Sequence, residues 1–193
     1  DIRIVESSLD YINDLLRSML DINKAATGRI KIEETPTDIM RDVLEPAAAI
    51  LCMRGAKVKI ETKCEPPGLM CITDCLRLKQ IVLNLAVNST KFVEKGFIHI
   101  RAQVQNDSVQ LLVEDSGPGI PLEKRGHLFE SFQYSLDVLE QGTGLGLGIC
   151  KHLADLMGGS LVLDQDFDSG IPACPGARFI FDLNKPPTEG MPL

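Results

Sequence analysis

Two glycine clusters constrain this chain more than any other feature. Asp115-Ser116-Gly117-Pro118-Gly119 and Gly142-Thr143-Gly144-Leu145-Gly146-Leu147-Gly148 stand about twenty residues apart. Glycine lacks a Cβ, so the backbone can turn tightly and approach a ligand closely. A glycine cluster that opens a helix also offers free amide groups and the positive end of a dipole to a phosphate. One cluster alone is a weak signal. Two, the first carrying an aspartate, suggest a nucleotide held at both ends, with the insert between them acting as a lid.

The totals narrow the class. A chain of 193 residues suffices for one good core, or for one domain with an appendage. Hydrophobic residues at 44% and charged residues at 24% are ordinary for a soluble globular protein. No apolar run approaches the ~20 residues that span a bilayer. Asp1-Ile2-Arg3 leads straight into an amphipathic pattern and not into a secretory signal. The net charge of −7, with lysine and arginine dispersed, argues against a nucleic-acid groove, which needs a basic stripe. Cys52, Cys64, Cys71, Cys75, Cys150 and Cys174 form no Cys-x-x-Cys pair. Free thiols in a reducing cytoplasm fit that pattern better than disulfides or a zinc site.

Ile2, Val5, Leu9, Ile12, Leu16 and Met19 step by three and four, a heptad seam. The spacing predicts one helix from Asp1 to about Ala26, ended by Thr27-Gly28. Its narrow stripe favours a dimer seam over a helix packed on its own domain. Ile30-Lys31-Ile32-Glu33 alternates like a strand. Pro36-Thr37-Asp38 signals a helix start, with Thr37 or Asp38 as cap, and Pro46 should kink the helix that follows. Val58 and Ile60, then Leu69 to Ile72, read as short strands around the turn Pro66-Pro67-Gly68. Asp74 caps the next helix. Along it Gln80, Asn84, Asn88 and Lys91 recur at steps of four, four and three, so they line one face. Amides on a mostly apolar helix are poor core residues unless partnered, and four in register favour a ligand-facing row over a solvated stripe.

Residues 97–102 and 109–114 read as strands paired around Asn106-Asp107, the second delivering Asp115 to its C-terminal end. From Pro121 to Gln141 the chain is polar, with Phe129 and Phe132 as anchors. A loop of that length inside a compact domain is usually functional or mobile. A helix over residues 148–157, capped by Gly158-Gly159, and strands at 161–163 and 179–181 complete the chain. The last residues, Lys185 to Leu193, hold three prolines and should stay loose. Helices and strands in runs, not in strict alternation, favour an α+β fold over a doubly wound one.

At this point the residues resemble a known family. The run from Asp74 to Phe92 looks like the asparagine box of sensor histidine kinases, a branch of the GHKL ATPase superfamily (the Bergerat ATP-binding fold, shared with gyrase, Hsp90 and MutL). Residues 115–120 resemble its first glycine box, Phe129 and Phe132 its phenylalanine pair, and residues 142–147 its second glycine box. Four boxes in order are highly specific. The resemblance implies a two-layer α/β sandwich, a mixed sheet covered by helices, preceded by a long N-terminal helix. Residues 1–28 would be the second helix of a dimerisation hairpin, 29–185 the ATP-binding catalytic domain, and 186–193 a flexible tail.

The resemblance also implies roles. Asp115 accepts a hydrogen bond from the adenine amino group. Asn88 holds Mg²⁺ on the ATP phosphates, an oxygen ligand for a hard cation. Asn84 and Lys91 lie close to the phosphates. Phe92, Ile120 and Phe132 wall the base pocket, with Gly117 and Gly119 shaping the loop beneath it. Backbone around Gly142, Thr143, Gly144, Leu145, Gly146 and Leu147 cradles the phosphate tail. The hydrolysing relatives carry Glu where this chain has Asn84. An amide cannot act as a general base near neutral pH, so γ-phosphoryl transfer to a protein acceptor is expected over ATP hydrolysis. None of His99, His127 and His152 precedes Glu or Asp, so the acceptor histidine is expected on a dimerisation helix outside this chain. A homodimer through the N-terminal helix and a response-regulator receiver domain are the implied protein partners, with no nucleic-acid or membrane contact. The alternative is a nucleotide-binding pseudokinase or dimer scaffold without phosphotransfer.

Overall fold

The computed structural model describes residues 30–56, 58–129 and 145–188. The expected helix over residues 1–26 lies outside them, as do Phe132, Gly142, Thr143 and Gly144. Seven strands are described: β1 (Thr35–Asp38), β2 (Lys59–Glu65), β3 (Met70–Thr73), β4 (Phe97–Gln105), β5 (Ser108–Asp115), β6 (Ser160–Leu163) and β7 (Ala177–Asp182). The α-helices are α1 (Glu45–Met53), α2 (Cys75–Phe92), α3 (Leu122–Arg125) and α4 (Leu145–Leu156), and a π-helical segment, Ile39–Leu44, leads into α1.

A five-stranded sheet in the order β2-β4-β5-β7-β6 carries the fold, and β1 pairs β3 in a separate antiparallel ribbon. β2 runs parallel to β4, and the remaining pairs of the five are antiparallel, so the sheet is mixed as expected. A parallel pair cannot be joined by a hairpin, and the chain crosses between β2 and β4 through β3 and α2. β4 and β5 meet through a two-residue turn, Asn106-Asp107, with both residues at positive φ. That geometry suits the right-handed twist of the strands it joins, and Asn and Asp tolerate it.

Alternate strand residues enter the core. Ile98 and Ile100 of β4, Val109, Leu111 and Val113 of β5, and Phe179 and Phe181 of β7 are buried beneath Leu78, Ile81 and Leu85 of α2 and Leu153 of α4. Burying each such side chain contributes about 1.5–3 kcal/mol. The opposite face carries paired polar groups beside Leu112, Ile180 and Val162: Glu114 takes Arg178 Nε at 2.8 Å, and His99 Nε2 lies 2.9 Å from Glu61. Among the described residues, helices therefore cover one face only, an α+β two-layer arrangement.

Three local expectations need correction. The first strand is Thr35–Asp38, not residues 30–33. Ile30 and Ile32 pack against the core without a ladder, and the Glu33 amide donates to Asp74 Oδ2 at 3.0 Å. Pro46 does not sit inside an α-helical run. It lies in the first turn of α1, and the π-helical segment Ile39–Leu44 runs directly into that turn. Lys185 to Thr188 are not loose: the Thr188 amide donates to Met70 O at 2.8 Å, and Lys185 pairs with Glu34.

Candidate functional site

Asp115 ends β5, so the strand sets its position, and only 6% of it is exposed. Its Oδ1 accepts the Gly117 amide at 2.9 Å and its Oδ2 accepts the Ser89 hydroxyl at 2.8 Å. Burial pushes its pKa above the ordinary carboxylate range, and the Gly117 and Ser89 hydrogen bonds pull in the opposite direction. The result is a fixed acceptor at the floor of a cleft.

The first glycine cluster makes the turn above that floor. Gly119 lies at φ +75°, and a Cβ there would meet Pro175 Cγ at 2.9 Å. Gly176 lies at φ +73°; a Cβ there would meet the Asp115 carbonyl oxygen at 2.0 Å, and its amide donates to Gly117 O at 3.0 Å. The Pro175-Gly176 turn thus braces the loop that carries Asp115.

The cleft encloses about 260 Å³. Asn88, Ser89, Lys91 and Phe92 of α2 line one side, Asp115, Ala177 and Phe179 the floor, and Pro118 to Pro121 with Lys124, Leu128 and Leu147 the remainder. Phe92 is 61% exposed, so the mouth is open on that side. Phe129 meets Phe179 edge to face at a centroid distance of 6.3 Å, anchoring the start of the expected lid. Lys91 Nζ reaches Asn88 Oδ1 at 3.4 Å. A Cβ on Gly146 would stand 3.5 Å from Asn88 Nδ2, so the start of α4 abuts the asparagine row.

The structure therefore gathers Asn88, Lys91, Phe92, Asp115, Gly119, Ile120 and Leu147 at one cleft, with Gly117 behind Asp115 and Gly146 beside Asn88. Leu145 opens α4. Asn84, one turn before Asn88, is not among the described residues lining this cleft; its side chain lies beside the Cys150 thiol on α4, which donates to the Ile81 carbonyl at 3.8 Å. Burial pushes the Cys150 thiol up to about 12, so it is an inert packing group. Gln80 accepts Arg77 Nη1 at 3.0 Å and is likewise no cleft residue.

Ser89, Ala177, Phe179 and Leu128 escaped the sequence reading. Ser89 carried a usable signal. It follows Leu78, Ile81 and Leu85 at core spacing, and a hydroxyl on a buried stripe needs a partner. Ala177 and Phe179 gave no signal, because their approach to β5 exists only once β7 pairs with it.

A mixed sheet with helices on one face, and a cleft holding a buried acceptor beside an amide-and-lysine row, defines a nucleotide-binding module. Comparison with known proteins places it. The family described as histidine kinase-, DNA gyrase B-, and HSP90-like ATPase matches residues 73–187, and the chain belongs to that family. The sensor histidine kinase GacS of Pseudomonas protegens is 32% identical over 96% of this chain and 21% of its own length. The signal transduction histidine-protein kinase BarA of Escherichia coli is 31% identical over 93% of this chain and 20% of its own. The chain thus spans about a fifth of these relatives. Full-length ShkA, solved in complex with AMPPNP, superposes with a TM-score of 0.79 at 28% identity, over 97% of this chain and 39% of that one. The catalytic domain of histidine kinase ThkA superposes at 0.64 with 27% identity, over 78% of this chain and 94% of that one. The chain is an ATP-binding catalytic domain of the histidine-kinase type.

Proposed function

We propose that this chain holds ATP with adenine on Asp115 and phosphates beside Asn88 and Lys91, and donates the γ-phosphate to a histidine on a dimerisation helix elsewhere in the full protein. The observation that carries the reading is Asp115. A buried carboxylate that accepts from the Ser89 hydroxyl and the Gly117 amide still has acceptor capacity toward the cleft, and an exocyclic amino group is what such a site prefers. Phe92, Ile120 and Leu147 supply apolar walls for a purine. Phe132 would add to them, and the backbone from Gly142 to Leu147 would take the phosphates.

Asn88 offers a half-buried carboxamide oxygen in the cleft, next to the Lys91 ammonium. That fits Mg²⁺, which keeps water and phosphate ligands and needs few from protein. Mg²⁺ would neutralise phosphate charge there, while Lys91 adds a second positive charge and Asn88 fixes the distance. Asn84 faces Cys150 and is an amide, so among the described residues the asparagine row supplies no base to activate water. That favours transfer over hydrolysis.

Residues 1–28 would form the dimerising helix and 29–185 the catalytic domain, with a response-regulator receiver domain as the downstream partner. Six unpaired cysteines suit a reducing cytoplasm. A second reading, nucleotide binding without transfer, draws on Arg125. Its guanidinium is held by the Ile120 and Gln165 carbonyls at 2.9 and 3.2 Å, not offered to phosphate.

Calorimetric titration with ATP, with and without Mg²⁺, tests the site. Affinity should depend on Mg²⁺, and Asn88→Ala should lose that dependence and weaken binding roughly tenfold or more. No ATP binding by the unaltered chain would end both readings. A separate fragment carrying the acceptor histidine then decides between them: labelled phosphate on that fragment supports transfer, and binding without label supports the second.

A further inference from the structure

We propose that Ser89 is a positioning residue that sets base selectivity: its hydroxyl, donating to Asp115 Oδ2 at 2.8 Å, holds the carboxylate as an acceptor, which selects an adenine amino group over a guanine carbonyl. The inference rests on the ATP reading above. It adds a residue to which no role has been given.

The geometry assigns the proton. Ser89 is 3% exposed, on the face of α2 that otherwise presents Leu78, Ile81 and Leu85 to the core. Its hydroxyl carries one hydrogen and has two acceptors in reach, Asp115 Oδ2 at 2.8 Å and the Leu85 carbonyl at 3.5 Å. The shorter, charge-assisted contact takes it. Protonating Asp115 would remove the charge assistance and weaken this contact. The wiring therefore favours the ionised acid. Burial works the other way; the Gly117 amide supports the charge at least as strongly as Ser89, and the Ala177 backbone less.

The consequence for the base follows from hydrogen-bond complementarity. An ionised Asp115 only accepts, which suits the amino group at adenine C6 and repels the carbonyl at guanine C6. A protonated Asp115 has an O–H to donate and can satisfy that carbonyl. Selectivity should thus decay as Asp115 takes up a proton, and Ser89 together with the Gly117 amide opposes that uptake against the effect of burial. Few other charges confuse the effect. Lys91 from α2 and Lys124 from α3 line the same cleft. Ile98 of β4 and Ala177 of β7, the strand partners of Asp115, are uncharged. Glu114 on β5 is tied to Arg178 and Arg101. The lysines and the phosphates act alike on ATP and GTP, so the ratio of the two affinities isolates the base contact.

The test measures Mg-ATP and Mg-GTP affinities of the 193-residue chain between about pH 5 and pH 8 for the unaltered protein, Ser89→Ala and Ser89→Thr. In parallel, carbon-detected NMR follows the Asp115 carboxyl in the nucleotide-free chain. Ser89→Ala should lower the ATP-to-GTP preference roughly tenfold near neutral pH, shift its decay to higher pH, and raise the Asp115 midpoint. Ser89→Thr, which keeps the hydroxyl, should restore both. An unchanged ratio and midpoint in Ser89→Ala overturns the proposal. So does an equal loss of both nucleotides with an unmoved midpoint, which is what a packing defect alone would give. If the unaltered chain binds neither nucleotide, the ATP reading has failed, and the carboxyl titration alone decides the Ser89–Asp115 link.

Discussion

Asp115 concentrates the chemistry of the molecule in one side chain. Its pKa in the folded state lies above the unfolded value because burial penalises the charge. The sign for stability follows: the contribution of this group is fully present below the unfolded carboxylate pKa and is lost as pH rises through the folded one. Asp115→Asn removes that titration. Its melting temperature relative to the unaltered chain should therefore rise from about pH 4 to pH 7, while adenine selectivity falls. A calorimetric pH series that shows no such divergence counts against the burial argument. Gly176 is the second demanding residue. An alanine there would adopt φ +73° and drive its Cβ to 2.0 Å from the Asp115 carbonyl oxygen. Gly176→Ala should cost on the order of 3 kcal/mol in urea unfolding, and it should weaken ATP because the same clash displaces Asp115. These demands were unevenly legible. Asp115 announced itself through the glycines after it, whereas Gly176 sits in a Pro-Gly turn that could have been any surface turn.

The elements divide between those that carry the site and those that support it. α2 does both, presenting Asn88, Lys91 and Phe92 to the cleft while Leu78, Ile81 and Leu85 enter the core. Its start depends on Asp74, whose Oδ1 accepts the Arg77 amide and whose Oδ2 accepts the Glu33 amide, each at 3.0 Å. Asp74→Ala removes a cap and a tether to the entering chain together. It should cost about 1–2 kcal/mol, read as a lower urea midpoint with an unchanged slope. A loss of several-fold greater size would mean that the tether matters more than the cap. The cap was visible from sequence because capping is local. The tether was not, because Glu33 and Asp74 are 41 residues apart and meet only in the fold. The same distinction explains the first strand. Alternation at 30–33 looked strand-like, but pairing with β3 falls to Thr35–Asp38, where the register places Thr37 opposite Cys71.

For the whole molecule, the described residues that line the cleft come from α2, β5, α3, α4, β7 and the loops beside them, all well after residues 1–28 in the chain. Removing those residues should leave ATP affinity unchanged by calorimetry, and sedimentation of the two forms should assign any dimer to the leading segment. A truncated chain that loses nucleotide binding would sink the domain division at residue 29.

By itself the sequence determined most of the groups that gather at the cleft, because the glycine clusters, the amide row and the capped helix are short-range patterns with local physical causes. It also determined the α+β class, since runs of alternation and of helical spacing follow one another along the chain. Tertiary structure alone decided how those groups are tuned. The Ser89–Asp115 hydrogen bond, the Gly176 brace, the placement of Asn84 beside Cys150 and the anchoring of Thr188 on Met70 all join residues that only packing brings together. Periodicity shows which way a side chain faces along its own element; it carries no information about which atom of another element will be waiting there.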